Sequence, residues 1–228
     1  MTVLAIGGTG AVWWLVQGAG ISETALVASI CRYGVIAVEL TGGEPGADAG
    51  PCTLGGLTWQ AVFTSIFMHG GWAHLIGNMW FLWIFGNNVE DALGHVRFVI
   101  FYLVAGVVAA GAQIVATPES QAPMVGASGA VSAVMGAYVL LYPRARVDTL
   151  FVFFVFVRLL PLPAWVMLGY WIGLQLLAST LAPADGGGVA YMAHIGGFGA
   201  GLVLVTLLMP PRRSRRGRRP RKRGGRLR

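Results

Sequence analysis

Charged residues are scarce in this sequence. Asp, Glu, Lys and Arg make up 11% of the 228 residues, whereas hydrophobic residues make up 56% and the mean hydropathy is +0.69. Soluble domains usually carry about 25% charged residues, so the composition argues against a water-soluble fold and indicates a membrane protein. The chain also has only two cysteines, Cys31 and Cys52, too few for a framework of disulfides or for a zinc site with four cysteine ligands.

The basic residues are concentrated at one end of the chain. Eleven of the 16 Lys and Arg residues fall within residues 212–228, and the remainder of the sequence has five basic residues against nine acidic ones. Arginine-rich runs can bind nucleic-acid phosphates. Directly after an apolar segment, such a run is better explained as an orientation signal that binds anionic lipid. We therefore predict a basic cytoplasmic tail over residues 210–228 and no nucleic-acid partner.

Six apolar windows precede this tail. A helix needs about 20 mostly apolar residues to cross the hydrocarbon core of a bilayer. The first window could be a signal peptide, but it lacks a basic n-region and a clear cleavage site, so a membrane span is the preferred interpretation. We predict one membrane domain over residues 1–209, with an outer loop at about 21–71 and spans at residues 2–20, 72–89, 98–116, 124–142, 162–181 and 189–209.

The positions of arginine predict the orientation of these spans. Cytoplasmic loops carry an excess of Lys and Arg. If both termini are cytoplasmic, the inner connections hold Arg97, Arg144, Arg146 and Arg158, and the outer loops hold only Arg32. The predicted fold class is thus an all-α bundle of six transmembrane helices. The apolar segment at residues 149–157 is too short to span, and we expect it to lie at the membrane interface as part of a connector.

Four polar residues fall near the starts of the second, fourth and sixth spans. They are His74, Asn78, Ser128 and His194. A polar side chain inside a membrane is costly and by default marks a functional site that faces the protein interior. Because these three spans run in the same direction, positions two to six residues beyond their starts share one layer within about 10 Å of the outer surface.

Small residues indicate which of these helices meet. Gly197 and Gly201 form a small-xxx-small step on the sixth span, and Gly129 begins a similar face on the fourth. If the two faces pack together, Ser128 and His194 come within hydrogen-bonding reach. Such a pair supports nucleophilic acyl transfer, because an imidazole can take the serine proton and return it to a leaving amine.

Acyl transfer also requires hydrogen-bond donors for a tetrahedral oxyanion. His74 and Asn78 lie four residues apart and therefore share one face of their helix. We expect their side chains, with the main-chain N–H of Ser128, to supply these donors. His74 can donate only in a suitable tautomer or charge state, which the sequence leaves open.

Three motifs resemble the rhomboid intramembrane serine proteases. They are HGGWAHLIGNMWFLWIFGNNVE from His69 to Glu90, GASG around Ser128 and AHIGG around His194. The resemblance extends over nearly the whole chain and implies a six-helix fold, a Ser128/His194 dyad without an acidic third member, and an oxyanion site at His74 and Asn78. It also implies that substrates are single-span membrane proteins and that no cofactor or metal is needed. The implied supporting residues are His69, Glu90, Gly126, Gly129, Gly197 and Gly201.

Some features of the chain depart from this family or leave alternatives open. Ser132 stands where some members have a tyrosine that packs on the catalytic histidine, and Tyr191 is one possible substitute. Whether Cys31 and Cys52 pair in the outer loop stays open, as does a structural or a simple loop role for Glu90.

The alternative functions are a catalytically silent binder of client helices and a channel or metal transporter. Near-exclusive use of Arg over Lys indicates a GC-rich bacterium and hence a bacterial plasma membrane.

Overall fold

The computed structural model of the protein describes residues 1–43, 52–56, 58–153, 156–181 and 188–211. Within these ranges the chain is mostly helical, with two short 3₁₀ turns and one two-stranded hairpin. The helices are α1 (Thr2–Leu15), α2 (Glu23–Tyr33), α3 (Ala37–Thr41), α4 (Thr58–Thr64), α5 (Trp72–Leu93), α6 (His95–Ala116), α7 (Ser128–Leu141), α8 (Ala164–Leu181) and α9 (Tyr191–Leu208). Of the predicted basic tail, residues 212–228 lie outside the described residues.

Each of the six apolar windows contains a helix, namely α1 and α5 to α9. Three of them, α6, α8 and α9, are long and apolar enough to cross a bilayer, and α1 and α7 are apolar but shorter. The composition-based prediction of a membrane protein therefore agrees with the helices. That all six cross the bilayer, with both termini in the cytoplasm, stays a prediction.

The first helix is shorter than predicted, because it ends at Leu15 instead of continuing to Gly20. Gly18, Ala19 and Gly20 all have positive φ angles, which are incompatible with a continuing right-handed helix. Glycine tolerates this conformation at no steric cost. The chain therefore turns after α1 and leads into α2.

The fourth window begins its helix at Ser128, four residues later than predicted. Before it, Met124 forms an isolated antiparallel bridge with Val35, with one hydrogen bond of 2.7 Å and one of 2.9 Å. Gly126 has a φ of +128° and donates its N–H to the carbonyl oxygen of Ser65 at 2.9 Å. The residues before Ser128 are therefore held in an extended loop by segments that lie between α1 and α5 in the chain.

The connector between α7 and α8 is a β-hairpin, so the all-α prediction is wrong at this point. Strands β1 (Arg146–Phe153) and β2 (Phe156–Pro163) pair antiparallel, with Leu150 opposite Leu159. The segment is rich in Val, Phe and Leu and contains Thr149, a composition that suits a pleated strand. Leu150 and Leu159 are 60% and 67% exposed. An exposed apolar connector agrees with the expectation that this segment lies at the membrane interface. Its secondary structure, however, is a pair of strands.

Helix α7 occupies the centre of the bundle. All ten residues from Gly129 to Tyr138 are buried, and α7 packs against α5, α6, α8 and α9. Most of these residues are small, so the neighbouring helices approach α7 closely. The buried helix places its first residue, Ser128, at a defined position at the same end of the bundle as the segments between α1 and α5.

The segments between α1 and α5 carry three short helices and a disulfide. Cys31 on α2 is bonded to Cys52, with 5.2 Å between their Cα atoms. Next to it, a carboxylate oxygen of Glu39 accepts hydrogen bonds from the N–H groups of Gly55 and Gly56 at 2.6 and 3.3 Å. The pairing that the sequence left open is therefore formed in the structure, and it anchors residues 52–56 to α2 and α3.

Replacing Cys31 and Cys52 together by serine should lower the melting temperature, because the disulfide closes a loop with a sequence separation of 21. A cross-link over such a loop is worth about 3 kcal/mol. The measurement is thermal unfolding in detergent with and without a reductant. The reductant should lower the melting temperature of the wild type and leave that of the double variant unchanged. Equal melting in all four samples would contradict the expectation.

Candidate active site

The glycine faces of α7 and α9 are in direct contact. A Cβ added to Gly197 would overlap the main-chain carbonyl oxygen of Gly129, and one added to Gly201 would overlap that of Ala133. The main chains of the two helices therefore touch at two points one helical turn apart, as the small-xxx-small steps predict. This contact brings the first turn of α7, with Ser128, beside the first turn of α9, with His194.

Ser128 is the first residue of α7 and is partly exposed to an internal cavity. Within the part of the chain that the structure describes, its hydroxyl is not engaged in a hydrogen bond, while its carbonyl oxygen accepts one from Ser132 Oγ at 2.6 Å. The first N–H groups of a helix have no partner inside that helix. Among the described residues no hydrogen bond joins Ser128 to His194, whose ring contacts Gln175 instead, so the hydrogen-bonded pair that the sequence predicts is not formed in the structure. The Ser128 hydroxyl and main-chain N–H are both available to a ligand.

The tautomer of His74 follows from its contact with Gly70. His74 Nδ1 accepts a hydrogen bond of 3.3 Å from the main-chain N–H of Gly70. Because the Nδ1 lone pair is used, the neutral imidazole carries its proton on Nε2. A Cβ placed on Gly126 would lie 2.7 Å from His74 Nε2 and 3.5 Å from Ser128 Oγ. The donor that the sequence could not assign therefore lies next to the segment that leads into Ser128.

Asn78 lies one turn further along α5 and is 7% exposed. Its Nδ2 donates a hydrogen bond of 2.9 Å to the carbonyl oxygen of His74. An amide NH₂ group has two protons, so this bond fixes the side chain and leaves one N–H. Asn78 and His74 both line the cavity, as their spacing on one helix face predicts.

His194 is held by residues of two neighbouring helices. Its Nδ1 lies 2.8 Å from the Oε1 atom of Gln175 on α8, and its ring centroid is 5.8 Å from that of Trp171. Gln113 on α6 accepts hydrogen bonds from the N–H groups of Met192 and Ala193 at 3.1 and 3.2 Å. Trp171, rather than Tyr191, is thus the aromatic residue that contacts the histidine in place of the missing tyrosine.

The cavity that joins these residues has a volume of about 580 Å³. Four of its lining residues are Ser128, His194, His74 and Asn78, which come from the first two turns of three different helices. A space of this size with several polar groups can hold water and part of an extended peptide. The structure therefore brings together all four residues that the sequence placed at one depth.

His69 lies behind the cavity and is completely buried. Its main chain is held by Gln17, which donates to the carbonyl oxygen at 2.8 Å and accepts from the N–H at 2.9 Å. Its ring packs edge-on against the His74 ring with 5.0 Å between centroids. Burial, together with the nearby His74, lowers the pKa of His69 to about 4, so this imidazole is neutral at neutral pH. These contacts fit a supporting role for His69.

Glu90 lies at the opposite end of α5 and does not approach the cavity. The carboxylate is buried and accepts hydrogen bonds of 2.7 Å from both the N–H and the hydroxyl of Thr2. Its other oxygen lies 2.5 Å from His95 Nδ1. Glu90 therefore links α1 to α5 and α6, which favours the structural role over a simple loop charge.

The sequence marks Gln175 as a polar residue in a span, and so a functional candidate by default, but it assigns no role to Gln175 and does not single out Gln113. Gln175 is the only amide or charged side chain in residues 162–181, and Gln113 is the only one in residues 98–116. A polar residue in a membrane helix usually has a specific partner, which was the available signal. The partners, α9 main-chain N–H groups and His194, could be identified only from the packing.

Comparison with known proteins agrees with the family resemblance of the three sequence motifs. Residues 56–211, more than half of the chain, match the Rhomboid domain family. The chain is 40% identical over 79 residues to Rhomboid protease GluP of Bacillus subtilis, an alignment that covers 35% of this chain and 15% of that protein.

Two eukaryotic relatives align over longer stretches. Identity to Rhomboid-like protein 11, chloroplastic, of Arabidopsis thaliana is 32% over 164 residues, which is 66% of this chain and 52% of that protein. Identity to Rhomboid protein 1, mitochondrial, of Saccharomyces cerevisiae is 31% over 152 residues, which is 63% of this chain and 40% of that protein. The chain thus spans about half or less of the length of these curated relatives.

Proposed function

The chain belongs to the rhomboid family, an integral membrane family, and from this premise we propose that it is a serine endopeptidase that cleaves membrane-protein substrates within or at the edge of the bilayer. The observation that carries the proposal is the cavity shared by Ser128, His194, His74 and Asn78. A nucleophile, a base and oxyanion donors on three helices are the set of groups that acyl transfer requires.

The proposed reaction begins at the Ser128 hydroxyl. Its oxygen attacks the carbonyl carbon of the scissile peptide bond while His194 Nε2 takes the proton. The carbonyl oxygen becomes an oxyanion that accepts hydrogen bonds from His74 Nε2–H, Asn78 Nδ2–H and the Ser128 N–H. His194 then protonates the leaving amine, and a water molecule, deprotonated by His194, hydrolyses the acyl-enzyme.

The geometry of the cavity indicates the class of substrate. The cavity is lined by residues near the starts of α5, α7 and α9, and we propose that a peptide reaches it as an extended segment. We propose that the substrates are single-span membrane proteins whose helix unwinds near small or helix-breaking residues. The proposed membrane domain covers residues 1–209 with six crossing helices, and the basic tail binds anionic lipid on the cytoplasmic side.

The bacterial location inferred from composition is also part of the proposal. The relatives that the chain resembles are chloroplastic and mitochondrial as well as bacterial, so family membership does not decide the compartment. The strong preference for Arg over Lys and the abundance of Gly favour the plasma membrane of a GC-rich bacterium.

A serine-reactive fluorophosphonate tests the proposal directly. Wild-type protein in liposomes should acquire one covalent adduct, which peptide mapping should locate at Ser128, because only a serine next to a general base reacts readily. Ser179 on α8 is a matched control, since its hydroxyl donates only to Leu176 in its own helix. A folded wild type that is never labelled would favour the silent binder of client helices instead.

Replacement of Asn78 by alanine should reduce kcat by roughly 10²- to 10³-fold, the usual cost of losing one oxyanion donor. The protein should stay folded, because the lost hydrogen bond lies within α5. Asn87→Ala is the matched control. It removes the same kind of bond, to the carbonyl oxygen of Trp83, at the other end of α5. Equal rates for the two variants would show that Asn78 is not an oxyanion donor.

A further inference from the structure

We propose that Gln175 is a positioning residue that holds His194 in the tautomer required of a general base. The inference rests on the proposed function and adds a third member to the dyad. Gln175 Oε1 lies 2.8 Å from His194 Nδ1. An amide oxygen can only accept a hydrogen bond, so Nδ1 carries the proton. His194 Nε2 is then left with a lone pair that can take the Ser128 proton.

The surroundings of Gln175 leave this contact as its main role. Along the outer half of α8, the half-buried positions 171, 172, 175, 178 and 179 form the stripe that faces the bundle. An amide in the middle of such a stripe is costly in a membrane unless it is hydrogen-bonded. Among the described residues its partner is His194, which lies on the neighbouring helix α9.

Trp171 extends the same contact by one helical turn. It precedes Gln175 by four residues, so both side chains project from one face of α8. The Trp171 ring lies 5.8 Å from the His194 ring, at an interplanar angle of 38°. Trp171 thus limits the tilt of the His194 imidazole, and Gln175 determines which of its ring nitrogens carries the proton. Helix α8 therefore holds the general base of α9 in place.

The two histidines of the site consequently carry their protons on opposite nitrogens. Gly70 N–H occupies Nδ1 of His74 and leaves a proton on Nε2, whereas Gln175 accepts from Nδ1 of His194 and leaves Nε2 free. These are the tautomers that an oxyanion donor and a general base need. The uncharged amide of Gln175 takes the orienting role that an aspartate has in a catalytic triad.

Gln175 does not line the cavity, although both Trp171 and His194 do. The residue therefore acts on the reaction through His194 and has no contact with a substrate in the cavity. Removing its oxygen should lower kcat and leave KM unchanged. A residue that bound substrate or merely stabilised the fold would change KM or the melting temperature instead.

The kinetic experiment compares wild type, Gln175→Leu, Gln175→Glu and Ser179→Ala in liposomes with a single-span substrate. The leucine variant should lose about 10- to 100-fold in kcat at constant KM, less than the loss from a misoriented histidine in a charged triad. The glutamate variant keeps an acceptor oxygen at the same reach and should retain activity. Ser179→Ala, one turn away, should resemble wild type. Full kcat in the leucine variant would overturn the inference.

A second measurement reads the tautomer without depending on activity. The chain has four histidines, so ¹⁵N-histidine spectra can be assigned by comparison with a His194→Gln variant. His194 should carry its proton on Nδ1 in the wild type and shift towards the Nε2–H form in Gln175→Leu. A wild-type His194 protonated on Nε2 would overturn the inference. A correct tautomer in a protein that cleaves nothing would instead count against the proposed function alone.

Discussion

Replacing Ser128 by alanine is expected to abolish cleavage, with a fall in kcat of about 10⁴-fold or more, the usual consequence of removing a catalytic nucleophile. The change deletes one oxygen atom that has no hydrogen-bond partner within the described part of the chain. The bundle should therefore remain folded, and its melting temperature should stay close to that of the wild type. Loss of activity would then be attributable to chemistry rather than to unfolding.

The assay is proteolysis of a panel of single-span model substrates in liposomes. Wild type, Ser128→Ala and His194→Ala are compared with the control Ser179→Ala, whose hydroxyl is bonded within α8. The first two variants should be inactive, and the control should cleave at the wild-type rate. Undiminished cleavage by folded Ser128→Ala would contradict a serine protease mechanism at this site, whatever the effect of His194→Ala.

The second large effect concerns the contact between α7 and α9. Gly201→Ala should destabilise the protein by about 1–3 kcal/mol, because a new methyl group would overlap the main chain at Ala133 and overpacked cores cost this much. The helices must separate to accommodate it. Since Ser128 and His194 begin these two helices, cleavage should fall together with stability.

Gly199→Ala provides a control in the same helix. An added Cβ at Gly199 would have no neighbouring atom within 4 Å, and alanine has a higher helix propensity than glycine. This variant should match the wild type or be slightly more stable. The measurements are thermal unfolding in detergent and cleavage in liposomes. If Gly201→Ala and Gly199→Ala behaved alike in both, the close contact would have no energetic significance.

Much of the site could be predicted because membranes make polar residues conspicuous. His74, Asn78, Ser128 and His194 are polar groups in otherwise apolar windows, and each is placed near the start of its helix by simple counting of residues. The structure places all four around one cavity. Their catalytic roles are a proposal, supported by the family and by the tautomer that Gly70 imposes on His74.

Other features depended on contacts between distant segments. The hairpin of β1 and β2 was expected only as an interfacial segment, because an apolar run of nine residues carries no distinct period. The start of α7 was placed too early, since the bridge between Met124 and Val35 joins segments far apart in the sequence. The pairing of Cys31 with Cys52 likewise depends on the path of the outer loop.

The sequence by itself determined the membrane class, the positions of the six apolar helices and the identity of the polar residues near the starts of three of them, because hydropathy and spacing are properties of the chain alone. Only the tertiary structure decided which hydrogen-bond partner each of these polar residues has. Gln175 meets His194, and Gln113 meets the first turn of α9, because α6 and α8 both pack beside α9. A hydrogen bond requires two atoms within about 3 Å of each other, and residue spacing within one helix cannot specify such a distance to another helix.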